Sequence, residues 1–179
     1  KCKLPFGSSR DGEKGYCEIY VPALKPEPLS PGEELVKISS MPDWAQPAFK
    51  GMAELNRIQS KVYETALFSA DNILLCAPTG AGKTDVAMLT ILRQIALNRN
   101  DGGSSNHKNC KIVYLAPMQE MVAEVVRYLS NCLQDYDVKV KELSGDKTLT
   151  SQQIKETQII VATPEKWDLI TRKSGDRTY

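Results

Sequence analysis

The chain has a single histidine, His107, and five cysteines, at positions 2, 17, 76, 110 and 132. No two cysteines have metal-ligand spacing, and His107 stands in a polar stretch, which argues against a zinc site. Scattered cysteines of this kind read as reduced thiols of an intracellular protein and as small core residues. No apolar run reaches the roughly 20 residues that cross a bilayer, and Lys1-Cys2-Lys3 does not open a signal peptide, so no membrane partner is expected. Neither sign of charge is in excess: 23 Lys and Arg stand against 22 Asp and Glu. A nucleic-acid face would therefore have to be local. The chain opens without Met and stops at Arg177-Thr178-Tyr179, just after a helical pattern, so it is expected to be cut at both ends.

What is present is concentrated around Leu74-Leu75-Cys76-Ala77-Pro78-Thr79-Gly80-Ala81-Gly82-Lys83-Thr84. A short apolar run meets a glycine-rich turn, then Gly-Lys-Thr, then the apolar helical pattern Asp85 to Leu92. This is the strand, loop and helix order of a phosphate-binding P-loop. Gly80 and Gly82 let the backbone curl towards an anion with no Cβ in the way. The loop N–H groups and the helix N-terminus form the cradle. Lys83 is expected to reach the β- and γ-phosphates of ATP, and the Thr84 hydroxyl to ligate Mg²⁺. The candidate nucleotide contacts are thus Ala77, Pro78, Thr79, Gly80, Ala81, Gly82, Lys83, Thr84 and Asp85. The first position departs from the strict pattern, being Ala77 rather than Gly.

The rest of the chain supplies the frame. Residues 1–40, with Pro22, Pro26, Pro28 and Pro31, read as an extended arm with turn chemistry at Gly7 to Gly12 and one short strand at Glu18 to Val21. Residues 41–179 read as a single α/β domain. A short helix is expected at 43–50, anchored by Trp44 and Phe49. Asn56 looks like the N-cap of a helix from Arg57 to Phe68, whose apolar face is Ile58, Val62 and Ala66, extended by Tyr63 and Leu67, with Gln59 off it. Strands are expected at Ile73 to Ala77, Lys111 to Ala116, Val138 to Leu143 and Gln158 to Ala162. Helices are expected from Lys83 to about Leu97, from Met118 to Leu133, after Thr150 with Gln153 at the reciprocal capping position, and from Pro164 to about Arg172. Met118, Val122, Val125, Leu129 and Cys132 form the stripe of the second of these. A polar loop, 98–109, separates the first helix from the next strand. Strand–helix alternation calls for a mostly parallel, doubly wound sheet with right-handed crossovers, whose ligands sit at the carboxyl ends of the strands.

Several segments together resemble one family. Leu55-Asn56-Arg57-Ile58-Gln59-Ser60 resembles the adenine-reading glutamine motif of superfamily-two helicases, and Ala77 to Thr84 their motif I. Ala116-Pro117-Met118-Gln119-Glu120-Met121 resembles motif Ia, Leu143-Ser144-Gly145-Asp146 the following "TGD" segment, and Thr163-Pro164-Glu165-Lys166-Trp167-Asp168 the "TPEKWD" segment of the Ski-like DExH-box group. The spliceosomal members of that group match nearly the whole chain, less so in the arm and at 98–109. The resemblance implies a RecA-like P-loop domain that stops before the DExH strand. It implies an ATP- and Mg²⁺-dependent motor that unwinds RNA 3′-to-5′, acting in the nucleus on the U4/U6 small nuclear RNA duplex. Its partners would be a duplex with a single-stranded overhang, spliceosomal proteins and the remaining helicase domains of the same chain. Gln59 would contact adenine. Pro117, Met118, Gln119, Gly145, Asp146, Thr163, Pro164 and Lys166 would hold the RNA backbone.

One departure bears on that track. The family carries Arg or Lys after Ala-Pro-Met, and here Gln119 stands there beside Glu120. No apolar strand ends in Asp-Glu, so 1–179 alone is expected to bind ATP·Mg²⁺ weakly, not to hydrolyse it, and to be poorly soluble with a sheet position unfilled. The alternatives are a P-loop kinase or small NTPase, a non-hydrolysing scaffold, and the related helicase of the activating signal cointegrator complex. The glutamine motif and the TPEKWD segment argue against the first, Lys83 and Thr84 against the second, and the arm against the third.

Overall fold

A computed structural model describes residues 3–13, 15–23, 27–98, 110–145 and 149–172. The chain divides into two compact units, Lys1–Glu34 and Leu35–Tyr179. The division expected after residue 40 falls earlier because 35–40 is tied to the second unit. Ile38 donates its N–H to Ala53 O, Leu55 donates to Val36 O, and Val36 N–H bonds Ser60 Oγ at 3.0 Å.

The first unit holds a hairpin where an arm with one strand is expected. Strand β1 (Ser9–Glu13) pairs antiparallel with β2 (Tyr16–Tyr20), with Ser9 opposite Tyr20 and Glu13 opposite Tyr16. The reversal comes at Gly15, whose φ of +113° needs a glycine. The segment Gly7 to Gly12, expected as turns, supplies much of β1.

The second unit opens on Ile38–Ser40 and Gln46–Phe49, two short 3-10 helices. The helix expected at 43–50 is only the latter; Phe49 is buried as foreseen. Helix α1 (Arg57–Phe68) begins at Asn56, whose side chain accepts from Gln59 N–H while Gln59 answers to the Asn56 N–H. Its buried face is Gln59, Tyr63, Ala66 and Leu67: the last three belong to the expected apolar face, whereas Ile58 and Val62 are only half-buried and Gln59 was not foreseen there. Helix α2 (Lys83–Leu97) buries Val86, Met88, Leu89, Ile91, Leu92 and Ile95, and α1 packs along it.

Strand β3 (Ile112–Leu115), helix α3 (Gln119–Cys132), strand β4 (Val140–Leu143), helix α4 (Ser151–Glu156), strand β5 (Ile159–Ala162) and helix α5 (Pro164–Arg172) follow. The stripe of α3 buries Val122, Val125 and Leu129, whereas Met118 lies outside the helix and is exposed. Thr150 and Gln153 form the expected reciprocal cap of α4. Lys111 closes the other end of α4: its ammonium donates to the carbonyls of Ile154, Lys155 and Thr157 at 2.6, 3.0 and 2.5 Å, adding to the Thr157 N–H that already bonds Ile154 O.

The sheet is parallel, in the order β3-β5-β4. Going from β3 to β4 passes over β5 in one direction, and returning from β4 to β5 runs in the other. Right-handed crossovers therefore put α3 and α4 on opposite faces. The packing agrees. Ile159 and Val161 of β5 join one apolar cluster with α1, α2 and α3, and Ile160 and Ala162 join another with Ile154, Trp167 and Ile170. Helices cover both faces, as in a doubly wound sheet.

One expected strand is absent. Residues 73–77 run without a described ladder partner. Ile73 and Leu75 lean on the core, while Leu74 is 91% exposed and Cys76 is also exposed. Pairing needs a neighbour at about 4.8 Å, and among the described residues of the second unit the strand ladders join only β3, β4 and β5. The cysteines also divide: Cys110 is buried and Cys132 half-buried, but Cys17 and Cys76 are exposed. The loop expected at 98–109 lies outside the described residues except for Asn98.

Candidate nucleotide site and nucleic-acid rim

Two glycines shape the phosphate loop. Gly80 and Gly82 have φ of +83° and +80°, the left-handed region that a side chain disfavours. They differ in surroundings. A Cβ on Gly80 would meet nothing within 4 Å, but one on Gly82 would lie 2.3 Å from Gln59 Nε2 and 2.9 Å from Asn56 Nδ2. The start of α1 is thus seated directly on the loop. Asn56 Nδ2 donates to Ala81 O at 3.1 Å and Gln59 Nε2 to Gly82 O at 3.2 Å. Gly82 is the N-cap of α2 and offers no side chain to cap it; Asp85 N–H bonds Gly82 O at 3.2 Å, so the first-turn N–H groups suited to an anion are those of Lys83 and Thr84. The Lys83 ammonium is exposed and donates to Ala77 O at 2.7 Å and Pro78 O at 2.8 Å.

Beside the loop lies an open cleft of about 490 Å³, walled by Met52, Leu55, Asn56, Arg57 and Gln59 with Gly80 and Gly82. An apolar wall beside a few fixed polar groups suits a heterocyclic base next to its phosphates. Gln59 is buried, 2% exposed, and is not the solvated residue its position off the apolar stripe suggests. Its amide is held at both ends: Oε1 accepts from Asn56 N–H at 2.8 Å, and Nε2 donates to Asp85 Oδ2 at 2.7 Å as well as to Gly82. Asp85 Oδ1 accepts from the Tyr128 hydroxyl of α3. Asp85, a candidate phosphate-site residue, thus lines the cleft with both carboxylate oxygens held by side chains. Sequence reasoning missed Met52, Asn56 and Arg57 as wall residues and Tyr128 altogether. The capping pair gave a local signal for Asn56, while Tyr128 is 43 residues from Asp85 and had none.

The second group of candidates gathers on the rim. The register aligns Leu115, Ala162 and Leu143 in one row. The residues that follow them, Pro117, Thr163 and Gly145, therefore leave the sheet at one level, as expected for strand carboxyl ends. Lys166 Nζ donates to Gly145 O at 2.7 Å, and the Gln119 amide lies 3.3 Å from where a Gly145 Cβ would be. Gln119, Gly145 and Lys166 are thus neighbours. Pro117, Met118 and Pro164 are exposed there. Thr163 is nearly buried, and its hydroxyl accepts from Lys166 N–H at 3.3 Å, capping α5. Asp146 lies outside the described residues.

The family model of the DEAD/DEAH box helicases matches residues 56–178. Over all 179 residues the chain is 67% identical to "DExH-box ATP-dependent RNA helicase DExH12" of Arabidopsis thaliana and 51% identical to "U5 small nuclear ribonucleoprotein 200 kDa helicase" of Homo sapiens. It is 53% identical over 177 residues to "Pre-mRNA-splicing factor brr2" of Schizosaccharomyces pombe. The chain spans 8% of the length of each of these relatives. Among solved structures, a hypothetical ATP-dependent RNA helicase from Sulfolobus tokodaii superposes with a TM-score of 0.57 at 23% identity, covering 74% of this chain and 37% of that one. That likeness speaks for the RecA-like fold alone. The site geometry and the family match meet on the same residues, and the chain belongs to the DEAD/DEAH box helicases.

Proposed function

We propose that this chain is the nucleotide-binding part of an ATP-dependent RNA helicase that unwinds RNA duplexes, the U4/U6 small nuclear RNA among them, during spliceosome activation in the nucleus. The names of the relatives support the spliceosomal reading. The observation that carries the nucleotide site is the seating of Asn56 and Gln59 on Gly82, which joins the glutamine motif and the phosphate loop into one cleft.

In this reading Lys83 exchanges its two carbonyl contacts for the β- and γ-phosphates, and the uncapped N–H groups of α2 complete the cradle. The Thr84 hydroxyl, half-exposed in the first turn of α2, fits a Mg²⁺ that keeps most of its other ligands as water and phosphate oxygens. Bound Mg²⁺ supplies charge neutralisation on the phosphates. Asp85 is not part of that set, since Gln59 and Tyr128 hold its carboxylate. This supports the expectation that 1–179 alone does not turn ATP over. The exposed Pro117, Met118 and Pro164, with Gln119, Gly145 and Lys166, form a sequence-blind RNA-backbone surface. RNA, spliceosomal proteins and further helicase domains are its proposed partners.

Titration of a fluorescent ATP analogue into wild type and Lys83→Ala tests the nucleotide site. Lys83 is exposed, so its loss opens no cavity and the circular dichroism spectrum stays unchanged. Binding falls by at least about tenfold, the order of one charge-assisted contact. Equal affinities overturn the assignment.

A further inference from the structure

Gln59 is fixed by groups that lie far from it in sequence, and the way they fix it has a consequence for the base. A glutamine amide has two N–H donors and two oxygen lone pairs. Both donors are used, on Gly82 O at 3.2 Å and Asp85 Oδ2 at 2.7 Å, and one lone pair takes the Asn56 N–H at 2.8 Å. What remains is a single acceptor on Oε1. Turning the amide over would set its oxygen against a carbonyl and a carboxylate and its N–H₂ against a backbone N–H. Three unfavourable contacts at a buried residue hold the orientation.

The strongest of those partners is Asp85, and Asp85 is itself held from α3. The Tyr128 hydroxyl donates to Oδ1, leaving Oδ2 to face Gln59. Burial, followed by the hydrogen bond to Asp85 and its charge, pushes the Tyr128 phenol far above its ordinary range, so it remains a donor throughout the neutral range. Without that donor the half-buried carboxylate is free to rotate, which releases the constraint on the Gln59 amide.

We propose that Tyr128 is a positioning residue for nucleobase choice: through Asp85 it keeps the Gln59 amine turned inward, so that only an acceptor faces the base and a 6-amino purine is preferred to a 6-oxo purine. A 6-amino group donates to that oxygen, while a 6-oxo group meets it lone pair to lone pair. The inference rests on the cleft beside Gly80 and Gly82 being the nucleotide site. It adds a residue from the helix that begins at the rim, outside every nucleotide-binding segment.

Fluorescent ATP and GTP analogues titrated into the chain give the affinity ratio directly. Wild type prefers ATP. Tyr128→Phe lowers the ATP-to-GTP ratio by about fivefold or more, the order of one hydrogen bond to a charged group, with most of the change a gain for GTP. Asp85→Asn, whose amide both donates and accepts, lowers the ratio as well and serves if Tyr128→Phe folds poorly. Equal losses of ATP and GTP in these variants, or an unchanged ratio, overturn the inference, because a merely structural contact would act on both nucleotides alike. A wild type that binds both nucleotides equally also overturns it and leaves the nucleotide site standing. A wild type that, like Lys83→Ala, binds neither overturns the site and this inference with it.

Discussion

Two apolar runs in this chain end in alanine and lead through a turn with Thr and Pro into a helix: 73–77 before α2, and β5 before α5. They read alike and fold differently. Strand β5 is hydrogen-bonded to β3 on one side and β4 on the other, and all its residues are buried. The earlier run has one face on the core and Leu74 almost wholly in solvent. Composition alone does not make a strand, since the ladder needs neighbours. The two loops that follow are accordingly held by different means. The rim loops after β3, β4 and β5 inherit their positions from the register. The phosphate loop takes its position from side chains of α1, through Asn56 and Gln59.

The largest test of this contrast is to place a carboxylate in each run. Val161→Asp puts a charge among Ile159, Leu129 and their neighbours with no partner, and the second unit should unfold, with a loss of several kcal/mol. Leu74→Asp should change stability by no more than about 0.5 kcal/mol, because the side chain already faces water. Chemical denaturation followed by circular dichroism measures both. Comparable losses would mean that 73–77 is as enclosed as β5.

A smaller effect separates the two loop glycines. Gly80→Ala carries the backbone penalty of a side chain at positive φ, about 1–2 kcal/mol, and meets nothing. Gly82→Ala carries the same penalty and also drives its Cβ into Gln59 and Asn56. It should cost more stability than Gly80→Ala and should weaken the ATP analogue more, by displacing Gln59. If the two alanine variants are indistinguishable in melting temperature and affinity, α1 does not brace the loop.

Much of this was legible in the sequence where the signal was local. Asn56 with Gln59, and Thr150 with Gln153, announce their helices through reciprocal caps that span three residues. The glycines of the phosphate loop, the breaks at Pro117 and Pro164, and the strand–helix alternation announced the order of elements from α2 to α5. What was not legible is non-local. The run 73–77 looks like a buried strand because pairing partners are not encoded in the run itself. The burial of Gln59 is not legible either, because a stripe drawn from apolar residues leaves it out; that burial depends on Gly82 and Asp85, more than twenty residues away. The hairpin of β1 and β2 was hidden by turn-forming residues that here pair in a ladder.

The smallest expected effect concerns the rim. Its backbone positions are set by the ladders, so a side-chain change there should alter binding without altering the fold. Gln119 is exposed at the start of α3, against Gly145 and near the Lys166 ammonium. Gln119→Arg adds a cation where a helix N-terminus and backbone N–H groups already favour phosphate. Its cost to the fold should be slight, because the side chain leads into solvent and Glu120 beside it offsets the second charge near Lys166. One extra phosphate contact releases one more set of counterions. The slope of log affinity against log salt for single-stranded RNA should steepen by roughly 0.7, with tighter binding at low salt and a shrinking gain as salt rises. Fluorescence anisotropy of a labelled oligonucleotide, read at several salt concentrations, gives the slope directly. An Arg variant with the wild-type slope and affinity would put RNA elsewhere than on Gln119, and the shared level of these loops would then be a property of the sheet and not of a track.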